Sequence, residues 1–226
     1  MTPPRIACQG LTFRYSDDPG LPPVLDAIDL GIDAGQFVIL TGPSGSGKST
    51  LMTLIGGLRR VQAGTLSVLG DALAGAPERA LEALRRRIGF IFQDHNLFDA
   101  LTPQETLQLA MDLHAERYRP QDYRQRPQAW LHRMGLEQRR DALPRQLSTG
   151  QRQRVAVARA MINEPDLILA DEPTASLDPH SAELVLQALQ EAVRERGATL
   201  LMISHDPRQF ALADRVITLV DGRLVS

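Results

Sequence analysis

GPSGSGKST, residues 42–50, lies between FVILT at 37–41 and LMTLIGGL at 51–58. Of the 25 basic residues in the chain one is lysine, Lys48, and it sits inside this stretch. A chain that uses arginine for every other fixed positive charge keeps a compact ammonium here, where a planar guanidinium fork would not fit. Gly42, Gly47, Lys48 and Ser49 satisfy G-x-x-x-x-G-K-[ST], the loop whose amides cradle phosphates while the lysine reaches the terminal groups and the hydroxyl meets Mg²⁺. Phosphate contacts are therefore expected along Gly42, Pro43, Ser44, Gly45, Ser46, Gly47, Lys48, Ser49 and Thr50. The flanks fit: a short apolar run before the loop reads as a buried parallel strand, and Leu51, Leu54, Ile55 and Leu58 recur at helical spacing behind it.

Outward from the loop, Ile6, Cys8, Leu11 and Phe13, then Ile28, Leu30 and Ile32, alternate as antiparallel strands, and Leu66 and Val68 do so again. Residues 88–92, 167–170, 200–204 and 216–220 are continuous apolar runs interleaved with helical stretches, which predicts a parallel α/β core. Asp221-Gly222 turns the last run into a hairpin with 223–225. Residues 93–147 change texture to helical, polar and Arg/Gln-rich, punctuated by Pro103, Pro120, Pro127 and Pro144. The expected organisation is one domain over 1–226, with 1–92 and 148–226 forming the α/β core and 93–147 a helical insertion.

Composition bounds the partners. The net charge is −2, so no nucleic-acid partner is expected, and Arg59-Arg60, Arg85 to Arg87 and Arg139-Arg140 read as solvated faces. No apolar run approaches the roughly 18 residues of a spanning helix, and MTPPRIACQG carries no apolar leader core. A cytosolic chain is expected, and lone Cys8 in a strand fits a buried structural role.

A second motif follows from phosphate chemistry. LILADE, 167–172, delivers two carboxylates to a strand's C-terminal end, where open α/β sheets bind ligands. Beside a phosphate loop, Asp171 suits the metal shell and Glu172 the attacking water; an acidic start to a helix at Pro173 is the other reading. In the third motif, LSTGQRQRVAVARA from 147, Ser148 and Gln151 form a capping box ahead of a helix faced by Val155, Ala158 and Ile162.

This third motif resembles the signature sequence of ATP-binding cassette (ABC) ATPases, and the likeness extends over essentially the whole chain. It implies a P-loop NTPase cassette that binds ATP and Mg²⁺. Gln93 resembles the glutamine that meets the metal and the water, Asp178 of Ser176-Leu177-Asp178 the loop between paired sites, His205 the switch histidine, and Tyr15 the aromatic on adenine, with Phe13 a nearby rival. Ser148, Thr149, Gly150 and Gln151 would close on nucleotide held by a second copy in a head-to-tail dimer with two equivalent sites. Thr149 departs from the family's usual glycine, which predicts a modest loss if that position needs positive φ; its hydroxyl could instead donate a hydrogen bond. His95 and His114 read as ordinary satisfied histidines.

VILTGPSGSGKSTLMTLIGGLRRVQAGTLSVLG with RRRIGFIFQDHNL resembles the macrolide-export and lipoprotein-release group, and within it the cyanobacterial heterocyst glycolipid-exporter type. That resemblance implies the motor of an exporter of lipid, lipoprotein or drug-like cargo, bound through a separate permease at the cytoplasmic face of the inner membrane. Leu97, Phe98 and Leu101 would form the docking surface. Alternatives are a force-transmitting ATPase that regulates a cell-envelope hydrolase through a membrane partner, and a soluble non-transport ABC ATPase.

Overall fold

The computed structural model describes residues 3–16, 18 and 20–225; the outermost positions of the expected domain, 1, 2 and 226, lie outside it. The chain runs β1 (Ile6–Phe13), β2 (Leu25–Ile32), β3 (Phe37–Thr41), α1 (Lys48–Ile55), β4 (Ala63–Val68), β5 (Asp71–Ala72), α2 (Glu78–Arg86) and β6 (Ile88–Ile91). It continues through α3 (Pro103–Asp112), α4 (Asp122–Arg133), α5 (Thr149–Met161), β7 (Leu167–Asp171), α6 (Pro179–Arg196), β8 (Thr199–Ile203), α7 (Pro207–Phe210), β9 (Arg215–Val220) and β10 (Arg223–Leu224).

Strands make two sheets. The antiparallel one is ordered β2-β1-β4-β5, and the larger is β10-β9-β3-β8-β7-β6, parallel except for the terminal hairpin strand β10. Successive side chains on a strand point to opposite faces. In β3, Val38 and Leu40 enter one core cluster while Phe37 and Ile39 enter the other; β7 and β8 split the same way. Both faces of the central sheet are therefore buried, which explains why these strands read as unbroken apolar runs while β1 and β2 alternate.

On one face lie α1, α2 and the antiparallel sheet. On the other lie α3, α4, α5 and α6, so Leu107, Met111, Trp130 and Leu131 from 93–147 share a core with sheet residues Ile39, Ile168 and Met202. Every element between 93 and 147 is helical. Pro127, read as punctuation, instead lies inside α4. A proline there frees the carbonyl four residues earlier, and Gln108 Nε2 donates to that Tyr123 oxygen at 2.9 Å, so the helix continues. Leu58 drops out of the predicted helix because α1 stops at Gly56 and Gly57 turns to φ +63°.

The arginine runs are more than solvated faces. Arg85 pairs with Glu78, Arg86 with Glu82, and Arg87 with Asp166 at 2.9 Å. These pairs are exposed and screened by solvent, so they contribute little to the stability of the fold. Cys8 is buried, as read.

Candidate functional site

Register in the central sheet decides which loops meet. Leu40 of β3 lies opposite Ile203 of β8, which lies opposite Asp171 of β7, and Ala170 lies opposite Ile91 of β6. The C-terminal ends thus present, side by side, the 42–47 loop, Ser204 to Asp206, Asp171-Glu172, and Phe92-Gln93. With strands about 4.8 Å apart, the glycine loop and the acidic pair are separated by about 10 Å, spanned by the turn of α1.

Glycine is required in that loop by contact as well as conformation. Gly42 has φ +137° and a Cβ there would stand 1.9 Å from Leu219 O; Gly47 has φ +103° and its Cβ would stand 2.7 Å from Val24 O. Helices α3, α5 and α6 start with side-chain caps from Thr102, Ser148 and Asp178, but α1 begins at Gly47 with no side-chain cap and no acidic residue in its first turn. Its first amides and positive dipole end are left for an anion. Ser46 Oγ beside them is buried with no partner.

Lys48 is 7% exposed, and its ammonium donates to Gly42 O at 2.9 Å and Pro43 O at 2.7 Å. Burial lowers its pKa, and Glu172 and Asp171 pull the other way. Ser49 Oγ donates to Asp171 Oδ2 at 2.8 Å, joining the first motif to the second. Glu172 does not start a helix. It follows β7 with φ +48°, its N–H donates to Ile203 O at 3.1 Å, and Oε1 lies 3.3 Å from His205 Nε2. Left-handed backbone in a non-glycine residue is strained by about 1–3 kcal/mol and needs surrounding support.

Part of that support was invisible in the sequence. Gln209, buried in α7, accepts from Ser204 Oγ at 2.7 Å and donates from Nε2 to Thr174 Oγ1 at 2.8 Å, tying the loop that holds His205 to the loop after Glu172. A lone glutamine in a four-residue helix carries no pattern that marks it.

Gln93 is exposed two residues past β6. Tyr15 is 60% exposed, with its hydroxyl 2.9 Å from Thr50 Oγ1 and Arg59 4.8 Å over its ring. Phe13 is buried beneath it, edge to face at 5.1 Å, so the rival is removed as a stacking surface.

The capping box is present: Gln151 N–H donates to Ser148 Oγ at 3.2 Å, and Ser148 N–H donates to Gln151 Oε1 at 2.9 Å. Gly150 packs where a Cβ would stand 3.3 Å from Leu177 Cδ2. Thr149 is the first helical residue of α5 and has no positive φ, so the expected backbone penalty does not arise. Its hydroxyl accepts from Arg152 Nη2 at 3.0 Å. Both oxygens of Asp178 are engaged by Ser181, whose hydroxyl and amide hold the carboxyl below its ordinary pKa. Among the described residues no hydrogen bond links 148–151 with 42–50.

A model of the family described as ABC transporter matches residues 25–175. The chain belongs to the ABC transporter ATP-binding family. It is 42% identical over 224 residues to the lipoprotein-releasing system ATP-binding protein LolD of Anaeromyxobacter dehalogenans, covering 99% of this chain and 93% of that one. The macrolide export ATP-binding/permease protein MacB of Escherichia coli K12 is 45% identical over 203 residues, 89% of this chain but 31% of that protein. A solved dimer of the ATP-binding cassette MJ0796 with ADP and phosphate superposes with TM-score 0.90 at 34% identity, covering 98% of this chain and 97% of that one. The α/β cassette and the exporter-group likeness read from the motifs agree with these relatives, and among the described residues no helix is long and apolar enough to cross a membrane.

Two expectations need correcting. His114 is satisfied by Arg86 O at 2.9 Å, but His95 has a buried Nε2 without a partner. Of the three residues expected on a docking surface, Phe98 alone is an exposed large hydrophobe; Leu97 packs into the helical core.

Proposed function

We propose that this ABC ATPase is the motor of an exporter: it binds ATP with Mg²⁺, closes on a second copy, and hydrolyses the nucleotide to drive a membrane permease. The observation that carries the reading is the Ser49–Asp171 contact, which sets a hydroxyl and a carboxylate together at the mouth of an uncapped glycine loop. Oxygen donors of this kind suit a hard cation that keeps waters and phosphate oxygens as its other ligands. No group of three or more His, Cys, Asp or Glu among the described residues could hold a metal alone, so a cation arriving on the triphosphate fits better than a resident one.

Ser49, Asp171 and Gln93 would hold the Mg²⁺, which neutralises charge developing on the phosphates when bound. Residues 42–47 and the amides of Lys48, Ser49 and Thr50 grip phosphate oxygens, and Lys48 shifts its ammonium from the loop carbonyls to the outer phosphates. Tyr15, exposed at the edge of the site, stacks on adenine. Glu172 takes the proton of the attacking water, and His205 orients the water and the leaving phosphoryl group. Ser148, Thr149, Gly150, Gln151 and Asp178 serve the nucleotide of the partner copy, a reading supported by the lack of any hydrogen bond from them to residues 42–50 among the described residues. ATP held between both copies favours the closed pair by its differential affinity, and hydrolysis withdraws that support.

Residues 93–147 act in this reading as a helical subdomain that moves the docking surface. A groove of about 640 Å³ lined by Leu58, Phe92, Phe98, Leu109 and Leu113 runs between it and the core. An apolar helix of the permease fits this lining, and such docking would hold the chain at the cytoplasmic face of the membrane. The likeness to a lipoprotein-releasing and a macrolide-export protein supports cargo of the lipoprotein, lipid or drug-like kind.

Phosphate release and nucleotide binding test the reading together. Lys48→Ala should weaken ATP binding itself, whereas Glu172→Gln should keep binding and lose turnover. Equal loss of binding in both variants, or near-normal hydrolysis in the second, contradicts the assignment.

A further inference from the structure

Arg159 bonds two adjacent backbone carbonyls of one turn. It is the eleventh residue of α5, the helix that begins with the signature tip. No carboxylate pairs with it among the described residues; its Nη2 donates to His95 O at 2.9 Å and its Nη1 to Asn96 O. Burial disfavours its charge, and no charged neighbour offsets that.

The two carbonyls are unusual as well. His95 and Asn96 have φ +64° and +48°, the one adjacent pair of non-glycine residues with positive φ among those described. The Asn96 amide donates back to Asp94 O at 2.7 Å and the His95 amide to Phe92 O at 3.2 Å, so the chain coils tightly on itself. His95 Nε2 is buried and unpartnered, so the ring does not hold the turn by hydrogen bonding. What fixes the turn from outside is the guanidinium. Its planar, multi-donor fork can meet two neighbouring carbonyl oxygens at once, which a single ammonium meets less rigidly.

The turn joins two functional stretches. Two residues before it is Gln93, at the nucleotide end of β6; two residues after it is exposed Phe98, which lines the apolar groove with Asn96 and Arg159. We propose that Arg159 is a positioning residue that locks the left-handed His95-Asn96 turn to the signature helix. Through this lock, displacement of α5 is transmitted to Gln93 on one side and to the groove on the other. The lock follows from the geometry of the turn; its effect on turnover rests on the role given to Gln93 above.

Amide hydrogen exchange and steady-state kinetics on Arg159→Met, in the full chain, separate the two. Exchange of the 93–98 amides should quicken by about tenfold or more while the α5 amides keep their protection. The kcat should fall by about tenfold with KM for ATP within about twofold, and Asn96→Gly added to Arg159→Met should recover part of it, because glycine holds positive φ without the clamp. Arg159→Lys should show the same exchange change at smaller size, and it serves if the methionine variant does not fold. Unchanged exchange at 93–98 in the variants, or kinetics fully restored by lysine, overturns the lock. If exchange rises but Gln93→Ala hydrolyses ATP normally, the lock stands and the role of Gln93 falls.

Discussion

His205 Nε2 lies 3.3 Å from Glu172 Oε1, joining the ends of β8 and β7 at the point where, in the proposed mechanism, water attacks the triphosphate. The contact is tight because both partners are fixed from behind, Glu172 by its backbone bond to Ile203 and His205 by the Ser204–Gln209–Thr174 chain. His205→Ala should therefore lower kcat by about 10²-fold or more while leaving ATP affinity within a few-fold. Gln209→Leu, which touches neither water nor nucleotide, should lower kcat by about three- to tenfold through loss of that support. Phosphate-release assays check both; a Gln209 variant with unchanged kcat would show the chain to be ornamental.

The glycines of the loop should not be equivalent. Gly42→Ala forces a methyl to within 1.9 Å of Leu219 O, whereas Gly45, at φ +80°, faces open space. Gly42→Ala should cost about 3 kcal/mol or more and abolish nucleotide binding, and Gly45→Ala about 1 kcal/mol. Denaturant titration of the two variants checks the order.

Thr149→Gly should change turnover by less than about threefold, because Thr149 already has ordinary helical backbone and gains nothing from glycine's freedom. A tenfold gain in ATPase rate would show that the threonine side chain itself obstructs closure.

Burial pushes the Cys8 thiol up to about 11, above its ordinary 9.0. The folded state holds the proton more tightly than the unfolded one, so the stabilisation is complete below about pH 9 and is lost as pH rises from there toward 11. At most about 2–3 kcal/mol is at stake. Unfolding curves at pH 8 and pH 10.5 should diverge by less in Cys8→Ala than in the parent chain.

In the groove, Phe98→Asp or Leu113→Asp should abolish stimulation by the permease and leave basal hydrolysis within about twofold, since neither residue belongs to the nucleotide site. Stimulation that survives both changes removes the groove as the docking surface.

The strands, the phosphate loop and the capping box were legible because each is a local pattern with a physical cause. Double-sided burial makes β3, β7 and β8 apolar throughout, Lys48 stands out as the sole lysine, and Ser148 with Gln151 satisfies amides three residues apart. What escaped reading depends on contacts distant in sequence. Gln209 matters only because Ser204 and Thr174 arrive beside it, and Pro127 is tolerated only because Gln108 reaches Tyr123 O. Leu58, Leu109 and Leu113 form a groove only after the helices pack. The positive φ of Glu172 had no local signal either, since an acidic residue ahead of Pro173 reads equally well as a helix start.

In the proposed mechanism two copies clamp ATP between the 42–50 loop of one and the Ser148 end of α5 of the other. Sedimentation of Glu172→Gln with Mg²⁺ and ATP tests it most directly. A species of twice the 24.9 kDa chain mass should form and return to monomer with ADP. A monomer in both nucleotides, with ATP demonstrably bound, would contradict it.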